Sequence, residues 1–484
     1  MFMDKFPQII ADAVTARDKY CKWDQKQIIE LLELVATKLD AASEELVSVA
    51  AKETHLTNPR LVGEVGRMSG QWRHMAAVLK NKDYLQISID LADSTAQPPK
   101  PDLRKSNIPI GIVGVFGASN FPFGFGVAGG DTASAIAAGC PVIIKANPGH
   151  PETSRKIFEI MVAAGSQLNA PKGLFGLLES FEDGIKLVQH EDVSAIAFTG
   201  STTRGRKLYD LAQSRPMPIP FYGELGGLNP IFVTEEANKA NAAVIAQGFL
   251  DSVSLGAGQF CTKPGFLILI NGSEIKQELS QLISKSAVHE MLNDGIRGLH
   301  NSKREEFSGL GYVKVLAKGP SLNSDAEPLT IFEITADDLL KNKDTSLIEM
   351  FGPTAVVVDC KTPQQALEVA NVFDGTLASG VHGGPGDELI QLGIIDLLSR
   401  ISGRVIMNAW PTGVAVTWSM QHGGPYPAST GSLFTSVGAD SIVRFRRPIV
   451  YQNFAHDLLP DYLQDKNLDS YPRRVNGTQH LAAQ

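Results

Sequence analysis

The chain carries a thiol and a carboxylate on two glycine-flanked segments, and these residue types suggest a chemistry. Cys261 lies in Gly258-Gln-Phe-Cys-Thr262, and Glu224 lies in Tyr222-Gly-Glu-Leu-Gly-Gly227. A thiolate can attack an aldehyde carbon, a hydride can then leave, and a carboxylate-activated water can hydrolyse the resulting thioester. A single cysteine is more often a small buried apolar residue. The pair therefore predicts oxidation of an aldehyde, which neither residue would predict alone.

A side-chain amide lies where it could stabilise the oxyanion of such a reaction. Asn120 is in Phe116-Gly-Ala-Ser-Asn-Phe-Pro122, directly after an apolar strand candidate. Ligands of open parallel sheets bind beyond the carboxyl ends of the strands, and an amide donor there can stabilise negative charge. An asparagine in this context is also a common turn residue. The next segment, Gly124-Phe-Gly-Val-Ala-Gly129, has the letters of a dinucleotide fingerprint but does not leave the strand directly, so its glycines are predicted to allow close packing.

Three further segments have residues suited to a nucleotide cofactor. Lys145 ends a strand candidate and could donate to a ribose, although such a lysine often only extends to solvent. Gly200, Ser201 and Gly205 lie where a strand passes into a helix, whose free amides could hold a phosphate. Ser201 could equally just cap that helix. Glu349 could accept both hydroxyls of a ribose or be an ordinary loop acid.

Turn-rich segments supply candidates for the substrate wall. Trp410 and His422 lie among prolines and glycines, where they could line a tunnel or merely pack. A single histidine is a weak signal, so no catalytic role is assigned to His422. No cysteine pair or Cys/His spacing predicts a metal site.

The spacing of apolar residues predicts an α/β protein. Helical periodicity runs from Gln27 to Glu53 and from Leu61 to Leu79. After Ile108, apolar strand candidates alternate with helical stretches, which is typical of parallel sheets. The strand candidates of this first alternation are Ile112–Phe116, Val142–Lys145, Leu174–Leu178, Ala195–Thr199 and Pro230–Val233. The intervening helices are expected at Asp131–Ala138, Glu152–Leu168, Ile185–Gln189 and Thr202–Gln213.

A second α/β unit is expected from about Asn238. Its strand candidates are Phe266–Ile270, Ala355–Val358, Leu377–Val381 and Arg404–Met407, and helices are expected to begin at Glu274, Pro363 and Asp387. We divide the chain into a Rossmann-like cofactor domain (1–226), a catalytic domain (227–440), and a C-terminal strand and tail (441–484). Weakly alternating residues at 84–107 predict an extended arm that needs a partner, which could be another subunit. The late strand expected at Ser441–Tyr451 likewise suggests an assembly of two or more subunits.

Composition limits the class of protein. The 484 residues are 43% hydrophobic and 20% charged, which is typical of a globular protein with two or three domains. The net charge of -8 argues against a nucleic-acid partner. Four cysteines do not make a disulfide framework. No apolar run is long enough to span a membrane, and no secretory signal precedes the first helix, so a cytoplasmic protein is expected.

Taken in order, these segments resemble the aldehyde dehydrogenase superfamily, from about residue 20 to 455. Within it the chain looks most like 2,5-dioxovalerate (α-ketoglutarate semialdehyde) dehydrogenases and a related bacterial fatty-aldehyde dehydrogenase. The segments that carry the resemblance are Ser119-Asn-Phe-Pro122, Lys145, Phe198-Thr-Gly-Ser201, Glu224-Leu-Gly-Gly227, Gly258-Gln-Phe-Cys261, Glu349-Met-Phe-Gly-Pro353, Pro411-Thr-Gly413 and His422-Gly-Gly-Pro-Tyr-Pro427.

The resemblance implies a role for each site residue. Cys261 would be the nucleophile, Asn120 and the Cys261 backbone amide would form the oxyanion hole, and Glu224 would activate the water. The expected cofactor is NAD or NADP, and the residues expected to bind it are Lys145, Gly200, Ser201, Gly205, Glu349 and Phe351. The residues expected at the substrate are Phe123, Gln259, Trp410 and His422.

Two signals on the choice of cofactor disagree. Pro148 stands where many NAD-preferring relatives carry a glutamate, which leaves room for the 2′-phosphate of NADP. The strand Gly173–Leu178 is followed by Glu179, Glu182 and Asp183, which would repel that phosphate, and no arginine stands in this segment. Both cofactors therefore stay open.

The expected function is oxidation of an aldehyde by a homodimer or homotetramer. A small semialdehyde such as 2,5-dioxovalerate is the first expectation, and a fatty aldehyde or succinate semialdehyde is the alternative. A CoA-acylating dehydrogenase is the nearest rival, which the presence of Glu224 disfavours. A non-catalytic scaffold and a cysteine hydrolase are the remaining alternatives. No residue could be identified that would hold a substrate carboxylate.

Overall fold

The computed structural model describes residues 5–482 and begins with four helices. The helix expected from Gln27 to Glu53 is divided at Ala42. Asp24 caps the first half through a reciprocal capping box with Gln27, which fixes where that helix begins. The four helices are α1 (Phe6–Tyr20), α2 (Gln25–Ala41), α3 (Ser43–Thr54) and α4 (Asn58–Asn81).

The arm contains two antiparallel strands, β1 (Ile87–Asp90) and β2 (Leu103–Pro109). The first α/β unit follows it. Five parallel strands form its sheet in the order β5-β4-β3-β6-β7, which is the strand arrangement of a Rossmann-like unit. Its elements are β3 (Ile112–Phe116), α5 (Gly130–Ala137), β4 (Val142–Lys145), α6 (Pro151–Gln167), β5 (Phe175–Leu178), α7 (Phe181–Gln189), β6 (Val193–Thr199), α8 (Thr202–Gln213) and β7 (Phe221–Glu224).

The second unit is a seven-stranded sheet in the order β10-β11-β12-β9-β8-β13-β14. All neighbouring pairs are parallel except β10 and β11. Its strands are β8 (Ile231–Val233), β9 (Phe266–Ile270), β10 (Lys314–Lys318), β11 (Thr330–Thr335), β12 (Thr354–Cys360), β13 (Thr376–His382) and β14 (Ser402–Met407). Its helices are α9 (Glu235–Ser254), α10 (Ser273–Ile283), α11 (Asp294–Ser308), α12 (Ala336–Lys341), α13 (Lys343–Ser346), α14 (Pro363–Ala370) and α15 (Glu388–Ile401).

One strand lies in a different sheet from the one expected. The sequence places Pro230–Val233 in the first alternation, but β8 pairs with β9 and β13 of the second sheet. The first sheet is instead completed by β7, which ends at Glu224. The chain therefore crosses between the sheets in residues 225–230, and Glu224 is the last strand residue before that crossing.

The arm finds its partner within the same chain. β15 (Arg446–Gln452) pairs with β2, and β16 (Arg473–Val475) pairs with β1 and with β17 (Thr478–His480). This third sheet has the order β15-β2-β1-β16-β17. The late strand is thus present but begins at Arg446 rather than Ser441, because residues 439–445 form a 3-10 helix, and the tail supplies two further short strands. None of the described helices is long and apolar enough to cross a membrane.

Candidate active site

Cys261 follows a tight turn that only small residues can form. After α9, residues Gly256, Ala257 and Gly258 have φ of 59, 52 and 69°, a left-handed backbone that favours glycine. A Cβ at Gly258 would lie 2.1 Å from the carbonyl oxygen of Gly352. The turn packs the thiol-bearing segment directly against the segment of Glu349. Asn229 then fixes it by donating Nδ2 to the carbonyl of Cys261 at 2.8 Å.

Glu224, at the end of β7, is brought close to Cys261 by a long segment, residues 408–438, that packs against this strand. Two backbone contacts anchor the segment to this strand. The Leu225 N–H donates to the Ala428 carbonyl, and Ser429 forms an isolated β-bridge with Glu224. The carboxylate is almost fully buried and accepts a hydrogen bond from Ser436 Oγ at 3.2 Å. Burial opposes its charge, but His422 and the surrounding hydrogen bonds outweigh this and hold the pKa of Glu224 below its usual value.

His422 lies between the thiol and the carboxylate. Its Nε2 is 3.6 Å from Cys261 Sγ and 3.1 Å from Glu224 Oε2. Its backbone amide donates to Thr435 Oγ1 at 2.8 Å, which fixes the loop that carries the ring. Burial, and then the charge of Glu224, raise the pKa of the Cys261 thiol well above its usual value. The thiol therefore needs a proton acceptor at neutral pH, and the imidazole is within reach of it.

The structure brings Asn120 to the same turn. Its Nδ2 donates to the carbonyl of Gln259 at 2.9 Å, two residues before the thiol. Arg60 donates to the Asn120 carbonyl at 2.6 Å and so fixes the loop after β3. An amide nitrogen carries two hydrogens, so one remains to act on an oxyanion beside Cys261.

The aromatic wall consists of different phenylalanines from the one expected. Phe123 is fully buried in the first core, so its assignment to the substrate is corrected. The rings near the site are Phe121, Phe125 and Phe260: the centroid of Phe121 lies 5.5 and 5.0 Å from those of Phe125 and Phe260. The Phe125 ring is 6.2 Å from that of His422. Phe121 and Phe125 lie near the site while Phe123, between them, enters the first core, and no local pattern distinguishes these three phenylalanines.

Two other residues expected at the substrate have structural contacts. The Gln259 side chain is buried, donates to Gly256 O at 3.0 Å and accepts from the backbone N–H of Leu292 at 3.0 Å, so it holds the thiol turn together. Trp410 packs against α9, where a Cβ at Gly248 would be 2.1 Å from its Nε1, and against Phe249. These contacts place Trp410 in the packing of the second unit.

Four of the six residues expected to bind the cofactor, Lys145, Gly200, Ser201 and Gly205, lie at or just after strand ends of the first sheet. Ser201 precedes α8 and is exposed, and its hydroxyl does not cap that helix, contrary to the simpler expectation. Thr199 Oγ1 is buried without a hydrogen-bond partner among the described residues. Gly205 lets α8 approach the sheet, because a Cβ there would lie 2.2 Å from Leu225. The exposed hydroxyl of Ser201 and the unpartnered hydroxyl of Thr199 both lie near the N-terminus of α8, where such groups can bind a dinucleotide phosphate.

The ribose-binding candidates are partly buried and electrostatically perturbed. Burial raises the pKa of Glu349 to about 7, against the opposing charge of Lys263 and a hydrogen bond from the Gly227 backbone. Lys263 is buried and donates to the carbonyls of the segment that carries Glu349 and Phe351, namely Met350, Gly352 and Thr354. Sequence reasoning missed Lys263, whose only signal is a lysine two residues after Cys261.

Lys145 and the acids near it have cationic neighbours that the sequence did not reveal. Burial, and then the charge of Arg204, lower the pKa of Lys145. Glu179 forms an ion pair with Arg155 of α6 at 2.8 Å. The segment Glu179–Asp183 itself contains no arginine, but Arg155 reaches Glu179 from the preceding helix.

Known proteins resemble this chain over most of its length. A sequence model described as the aldehyde dehydrogenase family matches residues 3–443. The chain is 39% identical to "Alpha-ketoglutaric semialdehyde dehydrogenase 2" of Azospirillum brasilense over 453 residues, which is 92% of this chain and 86% of the relative. It is 38% identical to "Alpha-ketoglutaric semialdehyde dehydrogenase" of Acinetobacter baylyi over 481 residues, or 98% and 91% of the two chains.

Solved structures share the fold at lower identity. An NAD-dependent aldehyde dehydrogenase from Sinorhizobium meliloti superposes with a TM-score of 0.77 at 21% identity, covering 93% of this chain and 86% of that one. PnpE in complex with nicotinamide adenine dinucleotide gives 0.78 at 22% identity, with 92% and 88% covered. At this identity the likeness shows the fold.

Proposed function

The chain belongs to the aldehyde dehydrogenase family, and from that premise we propose that it oxidises a short carboxylate-bearing semialdehyde, first of all 2,5-dioxovalerate, to the acid with NAD or NADP. The contact of His422 with both Cys261 and Glu224 carries the proposal, because it joins a nucleophile, a proton acceptor and a water-activating carboxylate. The two relatives of 38–39% identity, both bearing the name of an α-ketoglutaric semialdehyde dehydrogenase, support the substrate class.

The first half of the reaction belongs to Cys261. The thiol gives its proton to His422 Nε2, and the nearby Glu224 carboxylate stabilises the imidazolium that forms. The thiolate sulfur bonds to the aldehyde carbon, and Asn120 Nδ2 with the Cys261 backbone N–H stabilises the oxyanion. When bound, the nicotinamide cofactor supplies the hydride acceptor, and its phosphates and riboses would be held by Ser201, Lys145 and Glu349.

The second half belongs to Glu224. The hydride loss leaves a thioester on Cys261. Glu224 takes a proton from a water molecule, whose oxygen bonds to the thioester carbon, and the carbon–sulfur bond breaks to release the acid and the thiolate. The depressed pKa of Glu224 keeps the carboxylate charged at neutral pH, as this step requires.

We also propose a cytoplasmic homodimer or homotetramer. The four cysteines are all free, which fits a reducing compartment. β14 and β15 each end the strand order of their sheet, and each exposes a large apolar side chain, Met407 and Val450 respectively. Unpaired edges of this kind can join sheets between subunits. Light scattering of the purified protein measures the assembly.

A panel of aldehydes tests the proposed function. Each of 2,5-dioxovalerate, succinate semialdehyde, butanal and a long-chain aldehyde is assayed with NAD and with NADP, with and without CoA. We expect the highest kcat/KM for 2,5-dioxovalerate without CoA. A requirement for CoA, or a higher kcat/KM for the neutral aldehydes, would contradict the proposal.

A further inference from the structure

The guanidinium of Arg67, on α4, has an unused pair of donors. Its Nη1 donates to the carbonyl of Val414. Its Nε and Nη2 are buried and have no hydrogen-bond partner among the described residues. These two N–H groups point along the same edge of the planar group, the edge that accepts a carboxylate through two parallel hydrogen bonds. Buried donors without a partner cost free energy, so a ligand that satisfies both would be favoured there.

The Arg67 guanidinium lies near the catalytic residues. Its Cζ is 5.5 Å from the centre of the Phe125 ring, and the centre of the same ring is 6.2 Å from that of the His422 ring. The guanidinium and the imidazole of His422 therefore share one aromatic neighbour. The negative charge of Glu64, and then those of Cys261 and Glu224, act on the pKa of Arg67 against the larger effect of burial.

No acid of the described residues satisfies this edge. Glu64 Oε1 accepts from the backbone amides of Phe123 and Gly124. Glu64 Oε2 lies 3.9 Å from Arg60 Nε and is buried without a hydrogen-bond partner among the described residues. Glu224 is engaged by His422 and Ser436. Neither acid forms a direct ion pair with Arg67 among the contacts of the described residues, so the two donors are open to a carboxylate from outside the chain.

A glycine packs beside this edge, and a second cation holds the same loop. A Cβ at Gly124 would lie only 3.3 Å from Arg67 Nε, so a larger residue there would crowd this donor. Arg404, on β14, donates to the carbonyls of Pro411 and Gly413 at 2.5 and 3.1 Å. Arg67 on α4 and Arg404 on β14 thus both hydrogen-bond to the same short loop, residues 411–414. The charge of Cys261 also acts on the pKa of Arg404.

We propose that the Nε–Nη2 edge of Arg67 binds the distal carboxylate of the substrate, and that Arg404 adds positive charge to this end of the pocket. The inference rests on the proposed semialdehyde function and identifies the residue that selects the substrate class. A spacer of a few carbon atoms then runs past Phe125, from the carboxylate at Arg67 to the aldehyde carbon at Cys261. If Arg67 did not bind it, the substrate carboxylate would be buried near the carboxylate of Glu224 without a cation in direct contact, which is energetically unfavourable.

Substitution of Arg67 tests this assignment with paired substrates. In Arg67→Met we expect the ratio of kcat/KM for 2,5-dioxovalerate to that for pentanal to fall about 100-fold, from the loss of two charge-assisted hydrogen bonds. Arg67→Lys keeps the charge but not the paired donors, so an intermediate ratio is expected. The matched control is Arg73→Met on the same helix, since Arg73 pairs with Asp40 at the surface. Its ratio should equal that of the unsubstituted protein.

A binding measurement separates this inference from the proposed function. Glutarate is titrated calorimetrically into the Cys261→Ala protein and into Cys261→Ala/Arg67→Met, each with its fold checked by circular dichroism. We expect glutarate to bind about 100-fold more weakly when Arg67 is replaced. Equal affinity in the two proteins would overturn the carboxylate subsite, whichever aldehyde the enzyme prefers. An equal loss of activity on pentanal and 2,5-dioxovalerate would also overturn it, since Arg67 would then act on the thiol itself.

Discussion

Replacement of His422 by leucine or glutamine tests how the thiol loses its proton. The pKa of Cys261 is well above its usual value because desolvation of this partly buried thiol, and then the negative charge of Glu224, disfavour the thiolate. Without an acceptor, the thiolate would be a minor species at pH 7. General base catalysis contributes roughly 100- to 10,000-fold, so we expect the rate of the NAD(P)H burst to fall by at least about 100-fold at pH 7 in His422→Leu.

The glutamine variant separates proton transfer from hydrogen bonding. Glutamine can still donate to Glu224 but cannot take up the Cys261 proton, so His422→Gln should be about as slow in the burst as His422→Leu. In both variants the burst rate should rise about tenfold per pH unit, because hydroxide then makes the thiolate. The difference in burst rate between each variant and the unsubstituted protein should therefore become smaller at alkaline pH.

Stopped-flow absorbance of the first turnover at pH 6 to 10 measures these rates. The control is His382→Leu, because His382 is also buried but lies at the end of β13 against Trp410. A wild-type burst rate at pH 7 in His422→Gln would refute the proton-acceptor role of His422.

Three further predictions concern the other site residues. Glu224→Gln should keep a full NAD(P)H burst but lower steady-state turnover by roughly 100- to 10,000-fold, because water is no longer activated; an unchanged steady state would remove Glu224 from this role. Asn120→Ala should slow the burst by about 100- to 1,000-fold with cofactor affinity unchanged in fluorescence titrations; weaker cofactor binding with a normal burst would mean that Asn120 binds the nucleotide. The pKa of Glu349 is raised to about 7, so its charged form, which accepts ribose hydroxyls, is populated only above that pH. Cofactor affinity should therefore rise about tenfold between pH 6 and pH 8. The apoprotein favours the neutral form of Glu349, so its stability should fall between about pH 4.5 and pH 7 and level off above that. Glu349→Gln should flatten the affinity profile, and the same slope in that variant would contradict the assignment.

The sequence predicted the elements whose residues carry a local pattern. β3, β4 and β9 have the predicted bounds because their apolar runs end at glycine, proline or polar residues. β8 has an equally clear apolar run, but its sheet depends on where the chain crosses between two units, and no local pattern encodes that crossing. β10 has a weak pattern because it lies at the edge of its sheet and is largely exposed.

The residues of the candidate site also fall into two groups, those that a local motif predicts and those that only tertiary packing brings to the site. Motif spacing predicted Cys261, Glu224 and Asn120, and the structure brings all three to one place. The contacts of His422 and Arg67 come from segments far apart in the chain, so their roles depend on tertiary packing. Phe123 and Phe125 have the same local composition, and only the backbone turn decides which ring enters the core.

The central claim is that an acyl group passes through the sulfur of Cys261. Mixing the Glu224→Gln protein with 2,5-dioxovalerate and oxidised cofactor, then quenching in acid, should trap the thioester for peptide mass spectrometry. We predict one acyl adduct per chain on the peptide that contains Cys261, formed with the burst of NAD(P)H and absent when the cofactor is omitted. A full burst with no adduct on Cys261, or an adduct on Cys21, Cys140 or Cys360 instead, would contradict the account.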